Sequence, residues 1–454
     1  MDRGGEMAQQ GLRCGNGRLA RKIDGALRRW KAAGLQECLI VEGSRQVGKT
    51  SAVMEFGRES YVSVIVMDLL ERPDFARIFD GPLDAESFIS LISLYVPGAH
   101  MVPGSTLLFV DELQEFPGIR AALGRLAADG RFDIVAAMRP YPGGSSQQPG
   151  ESRVVLGPLD FEEFLWSRGY SAEAVEQLGG YFDRQQPVPP ALDQAMMRLV
   201  REYLVVGGMP EAVCEYAESG DFSAVHEVQL KLHELYMSDI GAAGSDVRQR
   251  KARACYLSLP RQLAKENTKF SYAVVERGGR ARKFEDSALW LSEAGIVQRC
   301  CAVSMPRFPL AAYEDPSRFR LYTVDTGLLM AMYDFSMKAA VLDETLDGPV
   351  LGGLYENLVA CMLARREFPL RYWTSSDVHY SIEFVAEAAG SVIPIEVKVA
   401  KPRATASLDH VLRSSAVPMG CRLVDSDAVR VSGRASVSRD GKRVTLPLYM
   451  AMFL

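Results

Sequence analysis

The chain has 454 residues, 24 % of them charged, and a formal net charge of −5 at pH 7. A chain this long exceeds one ordinary core and predicts about three domains, while the negative balance excludes a whole-molecule attraction to nucleic acid or an anionic membrane, leaving only a local patch for such a role. No uninterrupted apolar stretch reaches membrane-spanning length, the opening MDRGGEMAQQGLRCGNGR has no apolar signal core, and the eight cysteines show no paired metal spacing. The expectation is a cytoplasmic protein with reduced thiols, no disulfide framework and no membrane contact.

Residues 1–17 read as a flexible tail, and 18–165 as alternating strands and helices. The apolar run Cys38-Leu39-Ile40-Val41 leads into Gly43-Ser44-Arg45-Gln46-Val47-Gly48-Lys49-Thr50, with Ser51 next and a segment able to start a helix. This is a phosphate-binding P-loop. Its glycines let backbone N–H groups wrap the β-phosphate, Lys49 reaches the β/γ-oxygens, Thr50 offers a hydroxyl to Mg²⁺, and the helix beginning near Gly48 turns its positive end to the anion. ATP with Mg²⁺ is the expected ligand.

Further apolar runs follow at Val62–Met67, Leu107–Val110, Ile134–Ala137 and Val154–Leu156. Continuous apolar strands separated by helices predict a parallel sheet covered on both faces. The Leu107–Val110 run ends in Asp111-Glu112, at the carboxyl end of its strand, where open α/β sheets place their ligands. As a Walker B element, Asp111 would hold the Mg²⁺ shell and Glu112 would orient and deprotonate the water attacking the γ-phosphate.

Two segments, Leu159-Asp160-Phe161-Glu162-Glu163-Phe164-Leu165 and Gly207-Gly208-Met209-Pro210-Glu211, carry the reading from a P-loop protein to a family. They are followed by Ser258–Asn267, Trp290–Gly295 and Phe319–Leu329 in an order that resembles the prokaryotic AAA-type ATPases with a C-terminal nuclease-like domain. The resemblance runs from about Arg18 to the C-terminus. It implies an AAA-type P-loop sheet, a helical lid or linker at 166–235, a winged-helix-like domain at 236–345 and a PD-(D/E)xK nuclease-like α/β domain at 346–454. Where relatives carry a Gly-Ser pair after the fourth strand, this chain has Met138-Arg139, so the sensor hydroxyl for the γ-phosphate is missing. The residues alone read more plainly: Gly207-Gly208 with Pro210 is a turn that stops one helix and starts another, and Phe161, Phe164, Leu165 and Trp166 are core side chains. The Pro-, Gly-, Ser- and Gln-rich stretch from Pro140 to Ser152 reads as a flexible loop.

Between Arg248 and Lys283 eleven basic residues stand against two acidic ones, Glu266 and Glu276. The helical segment Phe284 to Glu293, broken at Gly295, resembles the last helix and wing entry of a winged helix-turn-helix. At this point DNA contact through the Arg248–Lys283 region stands level with docking on an acidic surface of another domain or Arg side chains serving a neighbouring ATPase site, and a protein partner or a second copy is a further expected partner.

In Val392-Ile393-Pro394-Ile395-Glu396-Val397-Lys398-Val399 the odd positions alternate with Glu396 and Lys398. Two residues apart on a strand, Glu396 and Lys398 lie roughly 6.5–7 Å apart on one face, close enough for a carboxylate to hold a metal beside an ammonium at the scissile phosphate. A surface ion pair would have the same spacing. Ile382-Glu383-Phe384-Val385 reads as a neighbouring strand, and Glu356 shares a helical face with Val359, Ala360 and Leu363, so its carboxylate leaves a packing face and needs a partner. The set resembles a PD-(D/E)xK site with Glu356 as the helix acid, Glu396 and Lys398 as the pair, and Glu383 where the family has Asp. The leading expectation is an ATP-hydrolysing molecular switch. The alternatives are an ATP-gated DNA-processing nuclease and a nucleotide-binding scaffold with little turnover.

Overall fold

The computed structural model describes residues 13–14, 17–80, 84–96, 98–144, 147–241, 245–265, 268–366, 368–375, 380–388, 390–399, 406–414, 417–427 and 437–454. Most of the expected tail at 1–17, and Glu266 and Asn267 of the 258–267 segment, lie outside the described residues. The chain divides into two compact units, Met1–Pro158 with Glu293–Gly295, and Leu159–Ser292 with Ile296–Leu454.

In the first unit, β1 (Cys38–Glu42), β2 (Ser63–Asp68), β3 (Thr106–Asp111), β4 (Asp133–Met138) and β5 (Glu151–Val155) form one parallel sheet in the order β2-β3-β4-β1-β5. Every pairing is parallel. The two strands whose ends carry the phosphate-binding and acidic motifs, β1 and β3, are buried along their full length, which is why they read as unbroken apolar runs. The edge strand β5 is buried only at Glu151 and alternates half-buried and exposed positions after it. Leu108, Val110, Ile134 and Ala136 pack on Phe88, Leu123 and Phe132 across one face of the sheet, each large apolar side chain contributing about 1.5–3 kcal/mol on full burial.

Helix α1 (Lys22–Ala33) buries Ile23, Leu27 and Trp30, and α2 (Lys49–Ser60) follows the P-loop directly, burying Lys49, Ala52, Val53 and Phe56. Arg21, at the start of α1, donates to the carbonyls of Val47 at 3.0 Å and Gly157 at 2.7 Å, so a buried guanidinium braces the loop backbone.

In the second unit three of the family-like segments, at 159–165, 207–211 and 319–329, meet in one hydrogen-bonded cluster. Helix α3 (Pro190–Val206) ends at Gly207, and α4 (Pro210–Ser219) starts three residues on, each helix with Pro in its first turn. The Gly208 N–H donates to Asp325 Oδ2 at 2.6 Å, and the Gly208 carbonyl accepts from Leu159 N–H at 2.6 Å. Asp325 also caps the short helix Thr326–Met330 by accepting from Leu328 N–H at 3.0 Å, while Tyr203 Oη donates to the Leu159 carbonyl at 2.7 Å. A Cβ on Gly208 would lie 2.0 Å from the Leu159 oxygen, so only glycine fits. Phe161 and Phe164 are fully buried, with ring centroids 5.5 and 5.2 Å from Tyr203. Here α5 is Ala281–Glu293, α6 is Thr326–Met330 and α7 is Gly348–Arg365.

After α5 the chain enters β6 (Val297–Val303) and β7 (Glu314–Thr323), an antiparallel pair with a register shift between Cys301 and Ala302. β8 (Arg371–Thr374) adds to β6 in parallel and β9 (Ser381–Ile382) adds to β8, giving the order β9-β8-β6-β7. A five-stranded sheet then takes β10 (Phe384–Ala388), β11 (Ser391–Lys398), β12 (Gly420–Val424), β13 (Ser438–Asp440) and β14 (Arg443–Pro447) in the order β10-β11-β12-β14-β13. The strand expected at 382–385 therefore splits at Glu383: Ile382 pairs in one sheet and Phe384 in the other. Six described cysteines are free and buried, but Cys214 is disulfide-bonded, contrary to the expectation of reduced thiols throughout. No helix among the described residues is long and apolar enough to cross a membrane.

Candidate functional site

The P-loop leaves the carboxyl end of β1 between its neighbours β4 and β5. Gly43 N–H donates to the Met138 carbonyl at 3.1 Å, tying the first loop residue to the end of β4. Gln46 and Gly48 both adopt left-handed backbone, φ 61° and 92°, on either side of Val47. Alternating handedness of this kind turns successive N–H groups into one concavity suited to an anion, and Gly48 reaches it without a Cβ penalty.

Lys49 is 6 % exposed, and its Nζ donates to the carbonyls of Gly43 and Ser44, each at 2.9 Å. Burial lowers the pKa of its ammonium, with Glu112 and Asp111 opposing that shift and Arg139 and Arg45 adding to it. Thr50 Oγ1 donates to Asp111 Oδ2 at 2.6 Å, so the P-loop hydroxyl and the acidic end of β3 meet. Burial pushes the Asp111 carboxyl up to about 6 against the opposing Thr50 hydrogen bond. These oxygens fit Mg²⁺, which takes one or two carboxylate or hydroxyl donors and fills its octahedron with phosphate oxygens and water. Val47 is buried and Ser51 is half-buried at the start of α2.

Glu112 follows Asp111 in left-handed backbone, φ 53°, which turns it out of the strand direction. Its Oε2 accepts from Arg139 Nε at 3.1 Å and from the Gln114 side-chain amide. Arg139 also donates from Nη2 to Glu115 at 3.1 Å and from its backbone N–H to Gln114 Oε1 at 2.9 Å. The position expected to lack a sensor hydroxyl thus carries a cation that engages Glu112. Sequence reasoning missed this pairing and the Arg21 brace. The signal for Arg139 was its place directly after a buried strand that neighbours β1.

In the second unit the four C-terminal candidates lie together, in company the sequence did not show. Lys398 Nζ sits 3.6 Å from Glu383 and 3.7 Å from Glu396. Glu396, 1 % exposed, also accepts from Arg422 Nε at 2.7 Å. Glu383 accepts from Val397 N–H at 3.0 Å. Glu356 accepts from Thr268 Oγ1 at 3.0 Å, Tyr322 Oη at 3.1 Å and Arg320 Nη1 at 3.4 Å. Burial raises the pKa of both Glu383 and Glu396, with Lys398 opposing it. Burial works against the charge of Lys398 too, yet Glu383, Glu396 and Glu356 together hold it above the usual lysine range.

Each carboxylate is therefore committed to a cation or a donor, and among the described residues no three His, Cys, Asp or Glu side chains are arranged to hold a metal ion. The nuclease-type metal implied by the resemblance does not fit this donor set. Arg320 and Arg422 were the missing signal: buried guanidinium groups alternating with apolar residues along β7 and β12.

In the basic region, Arg248, Arg250, Arg253, Arg261, Lys269, Arg277, Arg280, Arg282 and Lys283 are exposed, and Lys251 and Lys265 are half-buried. Lys283 pairs with Glu276 at 2.6 Å. The local order is a short helix at Tyr272–Val275, a turn, α5 and then the β6–β7 pair.

Comparison with known proteins matches residues 35–165 to a family model described as an AAA domain. Residues 197–339 match a domain of unknown function, DUF8612, and 351–449 match another, DUF4143. No curated protein matches the chain. Among solved structures it is similar to the Walker-type ATPase PABY2304 of Pyrococcus abyssi, at 14 % identity over 71 % of this chain and 98 % of that one, with a TM-score of 0.41. It is also similar to C. elegans PCH-2, at 15 % identity over 45 % of this chain and 66 % of that one, with a TM-score of 0.26. The N-terminal unit has the parallel α/β sheet and phosphate loop of a P-loop NTPase, and its residues 35–165 are the part of the chain that matches an AAA domain.

Proposed function

We propose that this protein binds and hydrolyses ATP with Mg²⁺ as a molecular switch, coupled to a winged helix and a nuclease-like C-terminal domain. The observation that carries the reading is the Thr50–Asp111 hydrogen bond at 2.6 Å beside a buried Lys49, because it brings the P-loop and the acidic end of β3 to one point. Lys49 would neutralise the β/γ-oxygens, Thr50 and Asp111 would hold the metal directly or through water, and Glu112 would position the attacking water. Bound Mg²⁺ supplies charge neutralisation at the phosphates. The match of residues 35–165 to an AAA domain supports the same assignment.

A second reading, an ATP-gated DNA-processing nuclease, draws on the exposed Arg277, Arg280 and Arg282 at the turn into α5, which suit phosphate contacts. The committed carboxylates around Lys398 weigh against its cleavage step. A third, a nucleotide-binding scaffold, would keep affinity without turnover. Measuring ATP turnover by the full chain with and without duplex DNA separates them. Turnover indifferent to DNA supports the switch, turnover driven by DNA supports the second reading, and tight binding without turnover supports the third.

A further inference from the structure

We infer that the Ser44 hydroxyl and the Gly295 carbonyl form the link through which occupancy of the phosphate loop reaches the end of α5. The inference rests on the ATPase reading above and deepens it by naming the contact that passes the nucleotide state on. Three observations carry it. Ser44 Oγ, in the loop, donates to the Gly295 carbonyl at 2.8 Å. Glu293–Gly295 belongs to the first unit although Ser292 before it and Ile296 after it belong to the second, so the contact is internal to the first unit while its chain neighbours are not. And Gly295 has left-handed backbone, φ 65°, where a Cβ would lie 2.7 Å from Pro140 Cγ, so only glycine brings this carbonyl so near the loop.

Gly295 is also the residue that stops α5. Glu293 is the last helical residue, and the left-handed turn at Gly295 lets Ile296 N–H donate back to the Leu291 carbonyl at 3.0 Å, the bond that closes a glycine-ended helix. One short turn therefore ends α5, leads into β6 at Val297 and accepts from the P-loop. At the other end of the link Ser44 is held twice, its hydroxyl by Gly295 and its carbonyl by Lys49 Nζ at 2.9 Å. The second hold competes with nucleotide, because β/γ-oxygens offer the ammonium a denser charge than a carbonyl does. Drawing Lys49 to the phosphates releases the Ser44 carbonyl, and the Ser44–Arg45 peptide is then free to turn its N–H toward the anion. Hydroxyl and carbonyl belong to one residue, so this rotation pulls the hydroxyl from Gly295 and loosens the turn that closes α5.

The test is amide hydrogen exchange on the full chain with Mg²⁺, without nucleotide and saturated with the non-hydrolysable analogue AMPPNP, read in the peptide covering residues 290–299. In the parent, AMPPNP is expected to speed exchange there by about fivefold, the scale of one hydrogen bond lost. Ser44→Ala is expected to exchange fast in this peptide from the outset and to show no further change on saturation. Ser44→Thr, which keeps the hydroxyl, restores both the slow exchange and the response. Should Ser44→Ala fail to bind AMPPNP, Gly295→Ala carries the test, since its Cβ meets Pro140 and drives the carbonyl off Ser44. The same fast exchange, indifferent to nucleotide, is expected of it. A parent peptide that ignores AMPPNP or slows with it, or a response that survives in a variant that binds, overturns the inference while leaving the ATP site in place. A parent that does not bind AMPPNP in calorimetry overturns the ATP reading itself, and this inference with it.

Discussion

Lys49 is buried at the start of α2, and the Gly43 and Ser44 carbonyls hold its Nζ against the P-loop backbone. Lys49→Ala is therefore expected to weaken Mg·ATP binding by about a hundredfold or more in calorimetry, the worth of a charge-assisted contact to a polyphosphate in a partly dry site. Unchanged affinity in a folded variant would remove the P-loop assignment. Glu112→Gln is expected to keep ATP binding and lower turnover by roughly 10²-fold, the usual scale for a positioned base, read by a phosphate-release assay. These residues were legible because their chemistry is local: eight consecutive positions define the loop, and two define the acidic strand end. Their partners were not. Arg21 acts across 26 residues on Val47, and Arg139 across 27 on Glu112, and nothing in either neighbourhood announces the other.

At the scale of elements, the parallel sheet was legible for the same reason that it is stable. A strand buried on both faces needs an unbroken apolar run, as β1 and β3 show, and all five runs supply residues to strands of the sheet. Their order was not, since it depends on crossovers that leave no trace in composition. The Asp160, Gly207-Gly208 and Asp325 segments show the converse case, visible as motifs but with their purpose hidden until Gly208 is seen between the Leu159 backbone and Asp325. Gly208→Ala is expected to cost at least about 2 kcal/mol in denaturant unfolding, because its Cβ would meet backbone that cannot swing away. Asp325 adds a pH signature. Burial raises its folded pKa to about 6 from the ordinary 3.8, despite three opposing backbone hydrogen bonds. The folded chain thus holds this proton more tightly than the unfolded chain. Its contribution is fully present below the unfolded pKa and is lost as pH rises through about 6, with a slope on the order of 1 kcal/mol per pH unit between the two. Asp325→Asn should remove that slope. The stability difference between parent and variant, measured by urea melts from pH 4.5 to 7, should change with pH in that sense, and a constant difference would refute it.

At the scale of the whole molecule the question is what the C-terminal cluster contributes. Its four candidate residues come from α7, from Glu383 between two sheets, and from β11, while Arg320 comes from β7 and Arg422 from β12, so one ionic cluster joins both sheets of the second unit. Sequence showed the acids because strand and helix periodicity place them on faces, but it could not show cations delivered by other strands. With those cations in place we propose that the cluster serves cohesion. Removing one partner of a buried pair leaves the other charge stranded, so Arg320→Ala is expected to cost about 3–5 kcal/mol in unfolding free energy. By the same reasoning the parent should show weak or no nicking of plasmid or single-stranded DNA with Mg²⁺, whose octahedral shell tolerates displaced donors poorly, and at most slightly more with Mn²⁺. Glu383→Asp, which draws that carboxylate back from Lys398, should stand above the parent in any residual cleavage, and Lys398→Ala below both. Robust Mg²⁺-dependent nicking by the parent, abolished by Lys398→Ala while Arg320→Ala leaves stability untouched, would reverse the assignment. The cluster would then be a catalytic centre whose cations are displaced by substrate and metal, and the ATPase unit would be the gate to it.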